Sequence, residues 1–294
     1  METYLFLGAP AALAIASYAI VYGGKAANIW IFTILPPGVF LYLWLDDFAH
    51  AAGTSAFVLI KLPSVCMAAL LIAMMRFNGW GEKPWARTAC YLVLLINIAE
   101  AVTFEAIHIH RSGGDHAVAG NALNILAGIL LMAAQAFPRF VSVGGGPAKD
   151  FRYHLGLGWV LAYTMWDFAF FYGTVPPDLL GDYVVGAAVH LLAPLLLIIG
   201  RSAALYIQMR TVSLALAVAV GLVVPDDPIV QLDPAWHTPA LATGVALAAL
   251  AAAAAAAFAP VIGSLAGRRA PRPPANLLEA GVLALRGPRR RVYP

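Results

Sequence analysis

Six ionisable side chains stand in stretches of the chain that are otherwise apolar: Lys61, Glu100, Glu105, Asp167, His190 and Arg210. Such residues are costly in hydrocarbon and mark ion paths, proton relays or substrate pockets by default. A carboxylate can bind a cation or carry a proton, a lysine beside it can serve as an exchangeable counter-ion, and a histidine can relay protons near neutral pH. Two amides, Asn97 and Asn124, add hydrogen-bonding capacity in the same stretches. Lys61, Asn97, Glu100, Asn124, Asp167 and His190 are therefore expected to line one polar pocket that binds an ion or a small polar substrate.

The elements that position them follow from composition. The 294 residues are 62% hydrophobic and 11% charged, against ~25% charged in soluble domains. A span needs about 20 apolar residues, and nine stretches qualify: 3–22, 28–45, 55–77, 88–107, 119–137, 155–173, 183–200, 203–224 and 240–259. The expected fold is all-α, a polytopic bundle of eight to nine spans over 1–267, followed by a basic tail over 268–294. In the tail, the apolar stretch 276–285 is too short to span. Either it lies in the membrane interface or it belongs to a disordered basic segment.

With nine crossings the loop charges sort by side. One side carries Lys25, Arg76, Lys83, Arg87, Arg139, Lys149, Arg152, Arg201 and the arginines of the tail, against Glu82, Asp150 and Glu279. The other carries Glu2, Asp46, Asp47, Asp115, Asp178, Asp182, Asp226, Asp227 and Asp233, with Arg111 as its one cation. Lys and Arg mark the cytoplasmic side, so the N-terminus is expected outside and the C-terminus in the cytoplasm. The expected location is the plasma (inner) membrane, and the arginine-rich, alanine-rich composition suggests a bacterial source. With 1.5 Å of rise per residue, Lys61, Glu100, Asn124, Asp167 and His190 all come to roughly 8 to 10 Å below the outer surface.

Neighbouring residues agree. Gly120, Asn124 and Gly128 recur on one stripe, and Tyr163, Thr164, Asp167 and Phe171 on another. Glu105 is turned about 140° from Glu100 and is expected at an outer mouth with His108, Asp46 and Asp47. Arg210 lies in the inner half, where snorkelling to the headgroups accounts for it. Pro36, Pro37, Pro63 and Pro194 are expected to break or kink their helices, either to line a cavity or as simple bends.

Plainer readings stand beside these. Lys61 with Glu100 or Asp167 would also serve as a structural ion pair. Asp46, Asp47, His50, His108, His110, Asp115 and His116 are residue types that hold divalent metals, but their spacing fits no motif, and a solvated polar rim explains them as well. Trp159, Tyr163, Trp166 and Phe170 form a stripe that reads as packing. Cys66 and Cys90 sit in apolar runs and make no disulfide framework.

Several classes are excluded. No Lys precedes Ser or Thr, so there is no Walker A loop, and GxGxxG, HExxH, CxxC and GxSxG are absent. No folded basic domain is present for nucleic acid. No cofactor is expected. The expected partners are membrane lipids and the transported ion or solute, with a homo-oligomer left open.

The stretches 97–102, 124–126 and 162–169 with Tyr172, and Arg210-Thr211 leading into Leu214, resemble segments of an uncharacterised family of bacterial polytopic membrane proteins, a domain of unknown function. The likeness runs from about Trp44 to Leu250. It implies that the polar positions belong together as a set, and that Asn often takes the place of Asp167. It implies no activity. From the residues themselves the leading expectation is a transporter or channel for a small ion or polar solute. The alternatives are an intramembrane enzyme acting on a lipid or quinone, with Glu100, Asp167 and His190 as acid and base, a haem or pigment protein using His190 with His108 or His154, and a structural subunit of a larger complex.

Overall fold

Proline opens two of the helices, where a missing N–H costs nothing: α4 begins at Pro84 and α9 at Pro239. Side chains cap others. The Thr238 hydroxyl accepts from Leu241 N, and Asn276 Oδ1 accepts from Glu279 N at the start of the last helix. The computed structural model describes residues 2–46, 56–111, 118–171, 184–223, 238–265 and 273–285. Among them run α1 (Glu2–Tyr22), α2 (Gly24–Asp46), α3 (Ala56–Phe77), α4 (Pro84–Arg111), α5 (Val118–Ala134), α6 (Leu157–Ala169), α7 (Val184–Ile198), α8 (Tyr206–Val223), α9 (Pro239–Leu265) and α10 (Leu277–Leu285). Helices α1 to α9 coincide with the nine apolar runs of the sequence. Gly24–Trp44, Pro84–Ile107, Ala203–Val223 and Ala240–Leu265 are long and apolar enough to cross a membrane.

Two expectations need correction, and the tail, left open between an interfacial segment and a disordered one, contains a helix. The protein is mostly helical but not all-α: β1 (Val141–Val143) and β2 (Phe151–Tyr153) form an antiparallel hairpin with Val141 opposite Tyr153. Val-Ser-Val and Phe-Arg-Tyr alternate with period two around Gly144–Gly146, a short pattern that a search for spans passes over. The prolines do not interrupt their helices. α2 runs on through Pro36 and Pro37, α3 through Pro63 and α7 through Pro194. Beside Pro63 the Ser64 hydroxyl donates to Lys61 O, and the helix runs on past the proline. Finally, the tail segment is folded. Glu279 is buried and accepts from Ala275 N and the Ser264 hydroxyl, while Asn276 Nδ2 donates to Ala134 O. These bonds dock α10 onto α9 and the end of α5.

The helices pack as two bundles around two apolar cores. One core joins α1, α2, α3 and α8 through Val21, Phe32, Leu62, Cys66, Met209 and Ala215. α7 packs on this bundle against α1 and α8. The other core joins α4, α5, α6 and α9 through Ile98, Leu131, Trp166, Ala249 and Ala253, and takes in Ile72 and Met75 of α3 and Tyr206 and Ile207 of α8. Small residues permit the tightest approach. A Cβ at Gly128 would come 2.5 Å from Val102 Cγ2 and 3.0 Å from Trp166 Nε1.

The hairpin clasps the two bundles at one end. The Arg76 guanidinium donates to Val21 O, Asn28 Oδ1, Ala148 O and Lys149 O. Gln208 Oε1 accepts from Phe151 N at 2.7 Å, and Tyr22 donates to Asp150. On the other bundle Tyr153 donates to Ala136 O and accepts from Gln135 Nε2. Burial pushes the Tyr153 phenol up from its ordinary value.

Candidate functional site

The seam between the two bundles holds the charges. α3 presents Lys61 and α8 presents Arg210 from one bundle; α4 presents Asn97 and Glu100, and α6 presents Tyr163, Thr164 and Asp167, from the other. Both cations therefore belong to one bundle and both of their carboxylate partners to the other. Lys61 Nζ lies 2.6 Å from Asn97 Oδ1 and 3.0 Å from Glu100 Oε2. Asn97 Nδ2 in turn donates to the Tyr163 hydroxyl at 3.2 Å. Arg210 Nη2 lies 2.5 Å from Asp167 Oδ2. Asp167 and Arg210 both act electrostatically on the Lys61 ammonium, so the two pairs form one neutral constellation of four charges.

The pairs differ in burial. The Lys61 and Glu100 side chains are 11% and 33% exposed, those of Arg210 and Asp167 6% and 8%. A pair that reaches solvent is worth about 0–1 kcal/mol, whereas breaking a buried pair by removing one partner costs about 3–5 kcal/mol. The Lys61–Glu100 bridge is thus the more exposed of the two, and Arg210–Asp167 the more enclosed.

Tyrosines surround the enclosed pair. The Tyr163 and Tyr206 hydroxyls lie against the Arg210 guanidinium, yet Arg210 Nε and Nη1 make no hydrogen bond of good geometry. The Thr164 hydroxyl donates to Val160 O, so the Tyr206 hydroxyl, 3.0 Å away, is the donor to it. Trp159 stacks on Tyr163 with ring centroids 5.2 Å apart, and Trp166 donates to Asn124 O. The aromatic stripe is packing that holds α6 in register.

The expected pocket residues part into two groups. Lys61, Asn97 and Glu100 meet, and Asp167 joins them through Arg210. Asn124 instead turns between α5 and α4, where Nδ2 lies 2.9 and 3.0 Å from the two oxygens of Glu105. Glu105, expected at an outer mouth, is fully buried. Its 140° separation from Glu100 turns it away from the seam and into the other bundle. Arg210, expected to snorkel, is a member of the site, because residues 204–210 are all buried and leave its head no route to water. A cation without such a route needs a partner. The side chains of His190, His108 and Asp46, and all of Asp47, lie outside the described residues. Among the described residues no three of His, Cys, Asp and Glu gather as a metal site.

Depth reckoning, which treats a side chain as lying at the level of its own Cα, sets Arg210 in the inner half apart from the pocket and does not reach Tyr206 at all. A long guanidinium acts several ångströms away. The signal was nevertheless present: Tyr206 and Arg210 are four apart on α8 and Tyr163 and Asp167 four apart on α6, each pair sharing one helix face.

A family model described as a family of unknown function (DUF5692) matches residues 6–272. No curated protein and no solved structure matches the chain.

Proposed function

The chain belongs to this family of unknown function, and from that premise we propose that it is a nine-span protein of the bacterial plasma membrane that moves a small ion or polar solute past the charged seam. The N-terminus lies outside and the C-terminus in the cytoplasm, by the sorting of loop charges. One observation carries this reading: both cations of the seam sit on one bundle and both partner carboxylates on the other. Every ion pair across the seam is therefore also a contact between two bodies that can rock, the arrangement from which alternating access is built. A structural pair inside a single bundle would have no such consequence.

Glu100, one third exposed, is where a solute first meets the constellation. A cation or proton taken up by Glu100 releases Lys61, which then turns to Asn97 Oδ1, already 2.6 Å away, and to the field of Asp167. The Arg210–Asp167 pair keeps the bundles in register during this exchange. The Asn97–Tyr163 hydrogen bond extends from the Lys61 pair toward the Arg210 pair. With its neutral sum the cluster stays stable in a low dielectric, yet any exchange of partners at Glu100 changes what holds the seam closed.

The test is flux in proteoliposomes holding an internal pH dye, under an imposed potential, with radiolabelled sodium and chloride followed in parallel. The wild type should carry one of these ions faster than empty vesicles, and Glu100→Gln and Lys61→Ala should each change that rate at least tenfold. Folded variants that leave every flux at the wild-type level would end the transport reading. In intact spheroplasts a C-terminal tag should resist external protease, and a tag that is cleaved would reverse the orientation.

A further inference from the structure

The last helix turns its polar side inward and its apolar side out. Its one acid, Glu279, and its cap, Asn276, are both buried. Glu279 accepts from Ala275 N and the Ser264 hydroxyl, while Asn276 donates to Ala134 O and accepts from Glu279 N. What α10 shows outward is Leu277, Gly281, Ala284 and Leu285, the last 89% exposed. Leu277, Gly281 and Leu285 recur at i, i+4 and i+8, so they form one stripe along the helix. A helix on a water-facing surface has the opposite arrangement, with its apolar stripe on the core and its polar residues outside. An apolar stripe turned outward marks a surface that something other than water covers.

Three observations identify the cover. The stripe continues another one: α10 is bonded through Ser264 to the last turn of α9, where Ile262 and Leu265 are exposed as well, and Ala240–Leu265 is long and apolar enough to cross a membrane. Its nine residues reach only about 13 Å, too short to cross, and they sit where α5 and α9 both end. Charge agrees with this placing. Residues 268–294 hold seven arginines and one acid, and that acid is Glu279, which is turned inside. Next to the start of α10, where Phe137 N donates to Ala275 O, Arg139 is exposed. Its guanidinium stands over the Phe137 and Phe140 rings and pairs with no carboxylate among the described residues. Aromatic rings with a cation beside them are what the boundary between hydrocarbon and headgroups favours.

We propose that α10 is an interfacial anchor, its outward stripe seated in the hydrocarbon edge of the cytoplasmic leaflet, and that Arg139 and the arginines of the tail draw anionic phospholipid to it. Guanidinium groups match phosphate in two parallel hydrogen bonds, and a basic segment beside an apolar helix face is the combination that holds a helix at an anionic surface. A second copy of the chain is the competing cover. It brings an equally basic tail, and like charges repel, so charge complementarity selects lipid. The bonds of Glu279 to Ser264 and of Asn276 to Ala134 tie the anchor to α9 and α5. Headgroup charge in that leaflet therefore acts on the bundle to which those helices belong. The inference rests on the membrane reading and orientation given above but on no step of transport.

The experiment uses the full-length protein in nanodiscs of phosphatidylcholine, with and without phosphatidylglycerol. Nitroxide labels are placed through Leu277→Cys and Leu285→Cys, both at exposed positions that leave the fold intact, and through Gly145→Cys in the hairpin turn, where an added Cβ meets nothing. Cys66 and Cys90 are buried, and the unsubstituted protein serves as the labelling blank. Power saturation reads collisions with oxygen, which enters hydrocarbon, and with a nickel chelate, which stays in water. Labels at positions 277 and 285 should favour oxygen over nickel about tenfold more than the label at 145 does. Phosphatidylglycerol should raise that preference about twofold, and the rise should vanish when Arg289→Gln, Arg290→Gln and Arg291→Gln are combined. Labels at 277 and 285 as open to nickel as the one at 145, a preference indifferent to phosphatidylglycerol, or dipolar broadening that reports a second copy on the stripe would each overturn the proposal. A chain that does not enter nanodiscs would overturn the membrane reading along with it, whereas unaltered flux in the Glu100 and Lys61 variants would touch the transport reading alone.

Discussion

Truncating Asp167 to Ala isolates the Arg210 guanidinium in the middle of the molecule. Arg210 is 5% exposed, its Nη2 donates to Asp167, and its Nε and Nη1 make no other good hydrogen bond. The carboxylate is thus its one strong partner, and the side-chain exposures of 6% and 8% leave almost no solvent to screen the loss. Stranding a buried charge costs about 3–5 kcal/mol, so Asp167→Ala and Arg210→Met should each lower unfolding free energy by that amount. Replacing both at once, with Asp167→Leu and Arg210→Met, removes the charge and its partner together and should recover most of the loss, since apolar substitutes for a buried pair are often neutral. The cycle should show coupling of about 3 kcal/mol or more, against about 1 kcal/mol or less for Lys61 with Glu100, whose carboxylate side chain is 33% exposed. The measurement is equilibrium unfolding of the purified variants in mixed micelles of rising denaturing detergent. Equal costs for Asp167→Ala and Glu100→Ala, or a double variant as unstable as the sum of the singles, would refute the division into a fixed and an exchangeable pair.

Three further outcomes follow from packing and burial. Gly128→Ala places a Cβ 2.5 Å from Val102 Cγ2 and should destabilise by about 1–3 kcal/mol, with a shift in tryptophan emission from Trp166. Gly8→Ala, open on all sides, should be neutral or slightly stabilising. Tyr153 has a raised folded-state value, so its contribution is complete below the ordinary phenol value of 10.0 and is lost as pH climbs beyond it toward the folded-state value. Tyr153→Phe should therefore be less stable than wild type by about 1–2 kcal/mol at pH 8, with a gap that narrows above pH 10, and a gap constant across that range would contradict the burial of the hydroxyl.

The amino-acid sequence by itself determined where the helices run and which side chains are out of place in them. Apolar runs of span length are a local property, and the nine runs reappear as α1 to α9 because backbone hydrogen bonding and side-chain transfer act residue by residue along the chain. The angular relation of Glu100 to Glu105 was legible for the same reason, being set by the helical period. So was the nearness of Lys61 to Asn97 and Glu100 as a class of contact, since a buried lysine needs an acceptor.

Partner choice was decided only by tertiary packing. Nothing in the spacing of Asp167 tells it to take Arg210 rather than Lys61; that depends on the start of α8 facing α6, where Arg210 reaches Asp167 and Tyr206 reaches Thr164. Asn124 follows Glu105 because Gly128 sets α5 against α4, which turns the amide away from the seam. The hairpin and the docking of α10 escaped notice because both are short elements stabilised by distant partners, Gln208 and Asn28 through Arg76 in one case and Ala134 and Ser264 in the other. The placing of cations on one bundle and carboxylates on the other belongs to the same level. Each charge is written in the chain, but which side of the seam it occupies exists only once two cores have formed.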